Sequence, residues 1–389
     1  MPPKGCWNNF VPNTPKLSTA SGFAQIDAGQ WDRCAGNDDP FLTHAFMRCL
    51  EQSGSAIAET GWQPMPLLAT DDTGTLIGAT PLWGKSHSQG EYIFDHGWAD
   101  AWQRAGGHYY PKLLSAVPFT PVTGRRLLSH DPAVASHLIA GMAALTEQNN
   151  LSSAHANFIT EDEVALFEQA GWLIRDGLQY HWENRGYQSF DDFLGEMPSR
   201  KRKTIRKERD TARQGLDIRH LTGNDITEAH WDAFWAFYQD TGARKWGTPY
   251  LTRSFFSLLN AAMAERILLV FAYEGDRPIA GALNLIGTES LYGRYWGTTD
   301  DRPFLHFELC YYQAMDFAIQ HHLARVEAGA QGEHKIARGY APIITRSAHY
   351  LPDTRFREAV ADFVARERRT LQLHATELAD MLPFRRPDD

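Results

Sequence analysis

Cysteine is scarce in this chain. Four occur in 389 residues, Cys6, Cys34, Cys49 and Cys310, and no two sit at CxxC spacing. That removes a disulfide-stapled scaffold and a paired-cysteine zinc site, and it suits a reducing compartment. No apolar run approaches the roughly 18–20 residues that a bilayer-crossing helix needs, so no integral membrane contact is expected. No charged-apolar-small leader opens the chain at Met1-Pro2-Pro3-Lys4, and the cytoplasm is the expected location. HExxH, an EF-hand loop, GxxxxGK[ST], GxSxG and GxGxxG are all missing, which takes away the signatures of zincins, calcium switches, P-loop enzymes, α/β-hydrolases and dinucleotide-binding folds. His306-Phe307-Glu308 lacks the Pro-Cys-x-x-Cys partner of a zinc deaminase. No metal and no tightly bound cofactor are expected.

What is present is material for a large core. Hydrophobic residues make up 43%, aromatics 12% and charges 22%, enough for about two domains. Acids outnumber bases 47 to 38, so a net charge of −9 repels nucleic acid and anionic lipid except where bases are gathered.

Residues 1–39, rich in Pro, Asn, Ser and Gly, read as an irregular arm. From Pro40 the pattern predicts a helix over 41–52 and strands at 66–70, 76–82 and 91–94. Helices are expected near 109–117, 132–148 and 161–170, with strands at 154–158 and 172–182. The order then repeats. A basic segment from Ser199 and a helix over 225–241 precede strands at 266–273, 278–286 and 290–296, then a helix at 306–322. Leu76-Ile77-Gly78-Ala79 stands about 200 positions before Ile279-Ala280-Gly281-Ala282, and Tyr109-Tyr110 precedes Tyr311-Tyr312 at the same offset. A duplicated unit accounts for this. The expected class is α/β (α+β), with lobes at 40–197 and 198–389 sharing a central cleft. The second lobe opens with the basic connecting helix and closes with an amphipathic helix over 354–371.

Four groups of residues carry candidate chemistry. Arg202, Arg206, Arg209 and Arg213 recur at steps of four, three and four, so a helix sets them on one face, with Lys203 beside them. Such a stripe suits phosphate or tRNA; the plainer reading is a solvated helix joining the lobes. Next, a short strand at 325–328 runs into a loop crowded with Glu327, Gln331, Glu333, His334, Lys335 and Arg338, a placement typical of ligand sites at strand ends. Third, alternation in strand 290–296 puts Tyr292, Arg294 and Trp296 on one face, a clamp for a planar or anionic group, with His306 and Glu308 just after. The matching strand of the first half ends in Asp95 and Trp98. Fourth, an aromatic and basic loop supplies Trp246 and Tyr250.

Phe119-Thr120-Pro121-Val122-Thr123-Gly124, Ser199-Arg200-Lys201-Arg202-Lys203, Tyr292-Gly293-Arg294-Tyr295-Trp296-Gly297, His306-Phe307-Glu308-Leu309-Cys310-Tyr311-Tyr312 and the segment from Glu327 through Gly329 and Lys335 to Gly339 together resemble the Fem-type branch of the GNAT acyltransferase superfamily. Within it, they are most similar to bacterial FemAB-like proteins tied to peptidoglycan biosynthesis. The resemblance runs from Pro40 onward. It implies two tandem GNAT-like lobes, each a mixed sheet flanked by helices. It also implies transfer of an acyl or aminoacyl group to an amine of a peptidoglycan precursor or small molecule, with aminoacyl-tRNA or acyl-CoA as co-substrate. On that reading Glu327, Glu333 or His334 accepts a proton and Lys335 and Arg294 clamp an anion. The loop after strand 290–296 lacks the Q/R-x-x-G-x-G/A that cradles a CoA pyrophosphate, which favours tRNA or another donor. The alternative is an inactive GNAT-fold protein that binds tRNA, nucleotide or another polyanion.

Overall fold

The computed structural model describes residues 14–245, 249–329 and 332–385. Structure begins before Pro40. Strand β1 (Lys16–Thr19) and helix α1 (Ala28–Ala35) occupy the expected arm, and the Asp27 carboxylate caps α1 by accepting from the Gln30 amide at 2.8 Å. Phe23 and Trp31 are fully buried, and Trp31 Nε1 donates to the Leu42 carbonyl. Two large rings in a polar stretch suffice to hold it to the core.

The first half continues with α2 (His44–Gln52), β2 (Trp62–Pro64), β3 (Leu67–Thr70), β4 (Leu76–Thr80), β5 (Leu82–Lys85), α3 (His96–Arg104) and β6 (Lys112–Ser115). It ends with α4 (Pro132–Gln148), β7 (Ala154–Ile159), α5 (Glu161–Gln169) and β8 (Leu173–Glu183). The second half contributes α6 (Phe190–Gly195), α7 (Ser199–Arg213), β9 (Asp217–Leu221), α8 (Glu228–Lys245) and α9 (Arg253–Met263), then β10 (Ile267–Glu274), β11 (Arg277–Ile286) and β12 (Ser290–Thr298). Helix α10 starts at Leu305–Phe307, widens into a π turn over Glu308–Tyr312 and resumes at Gln313–Gln320. After β13 (Arg325–Glu327) come β14 (Ala341–Tyr350) and α11 (Thr354–Asp380).

Eleven strands form one mixed sheet in the order β2-β5-β6-β7-β14-β8-β13-β12-β11-β10-β9, and β1, β3 and β4 form a small second sheet. Two pairs in the large sheet are parallel, β6 with β7 and β12 with β13, each joined by a crossover that carries a helix, α4 or α10. These are the repeated units. Strand β14 lies between β7 and β8, bonded to both, and β8 also pairs with β13, so the sheet runs across the 197/198 boundary. One apolar core joins the halves as well, packing Trp31, Trp62 and Trp83 together with Trp231, Phe256 and Tyr292.

Three expectations need correction. Residues 91–94 form no strand, and the expected helix at 109–117 contains β6. Charges mislead here because they are buried on one another: Lys112, fully inaccessible, donates to Glu91 Oε2 and Ser88 Oγ at 2.8 Å and also to Asp95. Tyr109-Tyr110 precedes β6 whereas Tyr311-Tyr312 lies in the π turn, and 76–79 and 279–282 sit in different sheets, so the offset of about 200 pairs the wrong segments.

Candidate active site in the cleft between the halves

The parallel pairing of β12 with β13 stops at Tyr292 opposite Glu327, and past that point the two strands part. Gly293 on one side and Ala328 and Gly329 on the other then line a hollow of about 490 Å³. Its opposite wall comes from the first half, through Ser88, Tyr92, Phe94 and His96. It is a cleft between the halves, where ligand sites commonly lie.

Two backbone irregularities aim side chains into it. The register of β11 on β12 shifts from Leu283 opposite Tyr295 to Asn284 opposite Gly293, which leaves Arg294 as an extra, bulged residue. Alternation is broken there, so Arg294, Tyr295 and Trp296 all line the hollow. The π turn of α10 likewise turns Cys310 and Tyr311 inward. His306 closes this end, its ring 5.1 Å from Trp296 and 5.2 Å from Tyr311. Arg294 Nη2 and the Tyr295 hydroxyl both donate to the Phe119 carbonyl, at 2.9 and 3.1 Å, and Phe119 stacks on Tyr250. Phe119 holds a left-handed φ of +58°, uncommon for a bulky side chain, at this contact between the halves.

Lys335 and Glu327 both lie buried behind the lining residues. Lys335 is 1% exposed, its Nζ donates to the Gly329 carbonyl at 2.7 Å, and burial pushes its amine down to about 7. Glu327, on the last residue of β13, is buried with Oε2 3.7 Å from His181 Nε2, beyond hydrogen-bond reach, and burial pushes the carboxyl up to about 8. Burial also holds His181 down to about 4. At neutral pH both are uncharged, a neutral acid facing a neutral imidazole.

The FemAB-like family, described by its part in peptidoglycan biosynthesis and recognition, matches residues 22–386. The chain belongs to the FemAB-like family. Two solved structures share the fold of this FemAB-like protein. FemX is 11% identical, with a TM-score of 0.53 over 86% of this chain and 98% of that one. The C-terminal domain of a protein described as a lysylphosphatidylglycerol synthetase from Agrobacterium fabrum is 10% identical, with a TM-score of 0.53 over 88% and 96%. No curated protein matches the sequence. The fold is the tandem GNAT-like one, a mixed sheet flanked by helices.

The residues singled out from the sequence of this FemAB-like protein divide cleanly. Arg294, Trp296, Tyr250 and His306 line the hollow. Tyr292 does not; ahead of the bulge it points the other way and packs on Phe41 at 5.1 Å. Asp95 is buried against Lys112 and Tyr109, and Trp98 packs edge-on to His349. Glu308 is fully buried among Arg209, Arg213 and Gln313. Arg338 pairs with Glu208 at 2.9 Å and lies over the Phe307 ring. Glu333 faces solvent beside His374, whereas exposed His334 contacts the hollow-lining Tyr311 hydroxyl at 2.9 Å. Trp246 and Gln331 lie outside the described residues.

Each arginine of the stripe is bonded within the chain, and Arg209 alone among them is buried. Arg209 and Arg213 bind Glu308 and Asp316, Arg202 donates to the Met197 carbonyl, and Arg206 pairs with Asp191, which leaves Lys203 exposed on the helix. Sequence reasoning missed Tyr92, Phe94, Tyr238, Asn284, Tyr295, Cys310 and Tyr311 as hollow-lining residues. The signal that could have found Tyr295 is the motif from Tyr292 to Gly297, whose glycines make room for a bulge.

Proposed function

We propose that the cleft transfers an acyl group from an activated ester or thioester to an amine, the amine belonging to a peptidoglycan precursor or a small molecule. The observation that carries this reading is the parting of β12 and β13 at the hollow, with the Lys335 amine bonded to the carbonyl of the lining residue Gly329. Strands that separate leave backbone N–H groups unspent, and these are donors for the oxyanion that forms when nitrogen attacks a carbonyl carbon. In that step the N–C bond forms, the carbonyl π electrons move to oxygen, and collapse of the adduct breaks the bond to the alkoxide or thiolate. Nitrogen must also lose a proton. Lys335, with its amine lowered to about 7, is partly neutral at physiological pH and takes it, then returns it to the leaving group. Glu327 is protonated below about 8 and stands behind the floor, which makes it a poorer base.

Purified protein incubated with labelled acyl donors and primary amines should form amide. Lys335→Met should lower kcat by about 100-fold or more, and Lys335→Arg should not restore it, because a guanidinium stays protonated. Wild-type kcat/KM should climb with pH through about 7 and then level, since the neutral amine is the competent form. A flat profile, or full activity of Lys335→Met, would remove Lys335 from this role.

A further inference from the structure

Resting on that transferase reading, we infer that the acyl group received by the hollow is uncharged and apolar or aromatic, and that groups bearing an α-ammonium are rejected. The walls argue this first. Tyr92, Tyr250, Tyr295, Trp296 and Tyr311 present rings, and Phe94, though 56% exposed, faces the same space. Among the 22 described residues lining the hollow there is no Asp, Glu or Lys, and Arg294 is the one with a permanent charge. The internal segments outside the description, 246–248 and 330–331, contain no acid in their sequence either. An ammonium entering here would shed its water with no carboxylate to receive it and a guanidinium to repel it. Of the carboxylic acids that adjoin lining residues in sequence, Glu91 and Asp95 are buried on Lys112, and Glu327 is turned toward His181.

The polar groups that remain fit an uncharged carbonyl. Arg294 spends Nη2 on Phe119, and its Nε, buried, has no hydrogen-bond partner among the described residues. Asn284 is 1% exposed, gives its Nδ2 to the Leu268 carbonyl and lines the hollow close to the parting of the strands. Donors of this kind orient a carbonyl oxygen while the rings take the chain attached to it. The volume of about 490 Å³ falls in the range of drug-sized ligands and exceeds what an acetyl group alone would fill.

The matched probes are octanoyl and 2-aminooctanoyl N-acetylcysteamine thioesters, which differ by one ammonium, with binding read from tryptophan fluorescence of the full chain. The octanoyl thioester should bind about 30-fold tighter or more. Trp296→Ala should weaken the octanoyl compound selectively, and Thr241→Asp, which puts a carboxylate on the wall, should narrow the ratio. Equal or tighter binding of the 2-aminooctanoyl thioester would overturn the inference, as would failure of both compounds to bind folded protein. Failure of the transferase reading looks different: the octanoyl preference persists while no amine releases thiol from either compound.

Discussion

Glu327 and Lys335 are ionisable side chains that the fold has made mostly neutral, and each leaves a mark on stability. The folded state holds the Glu327 proton up to about 8, whereas the unfolded chain releases it near the ordinary carboxylate value of 4.5. Between those pH values the folded state binds more protons, so this group's contribution to stability falls as pH rises through the window. Lys335 works in the other direction. Its folded amine releases a proton near 7 and the unfolded one near 10.5, so its contribution rises over that interval. Glu327→Gln keeps the shape without the ionisation. Its advantage in thermal midpoint over wild type should be small at pH 5 and grow toward pH 8, measured by calorimetry; an advantage independent of pH would contradict the burial argument.

At the scale of elements, α7 is the case where sequence and structure part most instructively. The helix is legible from its spacing, and so is its stripe of arginines, yet Arg209 in the middle of the stripe turns inward. Arg209 meets Glu308 and Asp316, and Glu308 lies on a π turn that no periodicity signals. Arg209→Ala would strand the fully buried Glu308 with weaker compensation from Arg213, and should destabilise by about 3–5 kcal/mol. Changing Arg200, Lys203 and Lys207 together, all exposed, should leave stability within about 0.5 kcal/mol. Urea denaturation of both variants is the measurement. The strand at 266–273 was legible because apolar residues run unbroken from Ile267 to Tyr273. Strand β14 was not, since Arg346, Ser347 and His349 interrupt it; burial beside β7 and β8, where His349 Nδ1 contacts His155 Nδ1 at 2.7 Å, is what makes those residues affordable. For the site, the strand carrying Arg294 and Trp296 was legible, and the bulge that displaces Tyr292 was not, because an inserted residue leaves composition unchanged.

For the whole molecule, two halves can be named but not separated. The repeated order of strands and helix made the doubling readable, while the placement of β14 depends on tertiary fit that neither half states alone. Expressed by itself, the fragment 1–197 should be insoluble, and co-expression with 198–389 should recover soluble protein. The intact chain should melt in a single calorimetric transition; two resolved transitions would show that the halves are independent after all.

Because the strand that fills the gap between β7 and β8 begins only at Ala341, the amino-terminal portion leaves the ribosome as a shape with a missing slat. At about 5–20 residues per second it waits many seconds, both flanking edges bare, until residues 341–350 have been made. A nascent chain stalled anywhere in that interval carries an open slot that a strand from any neighbour can enter.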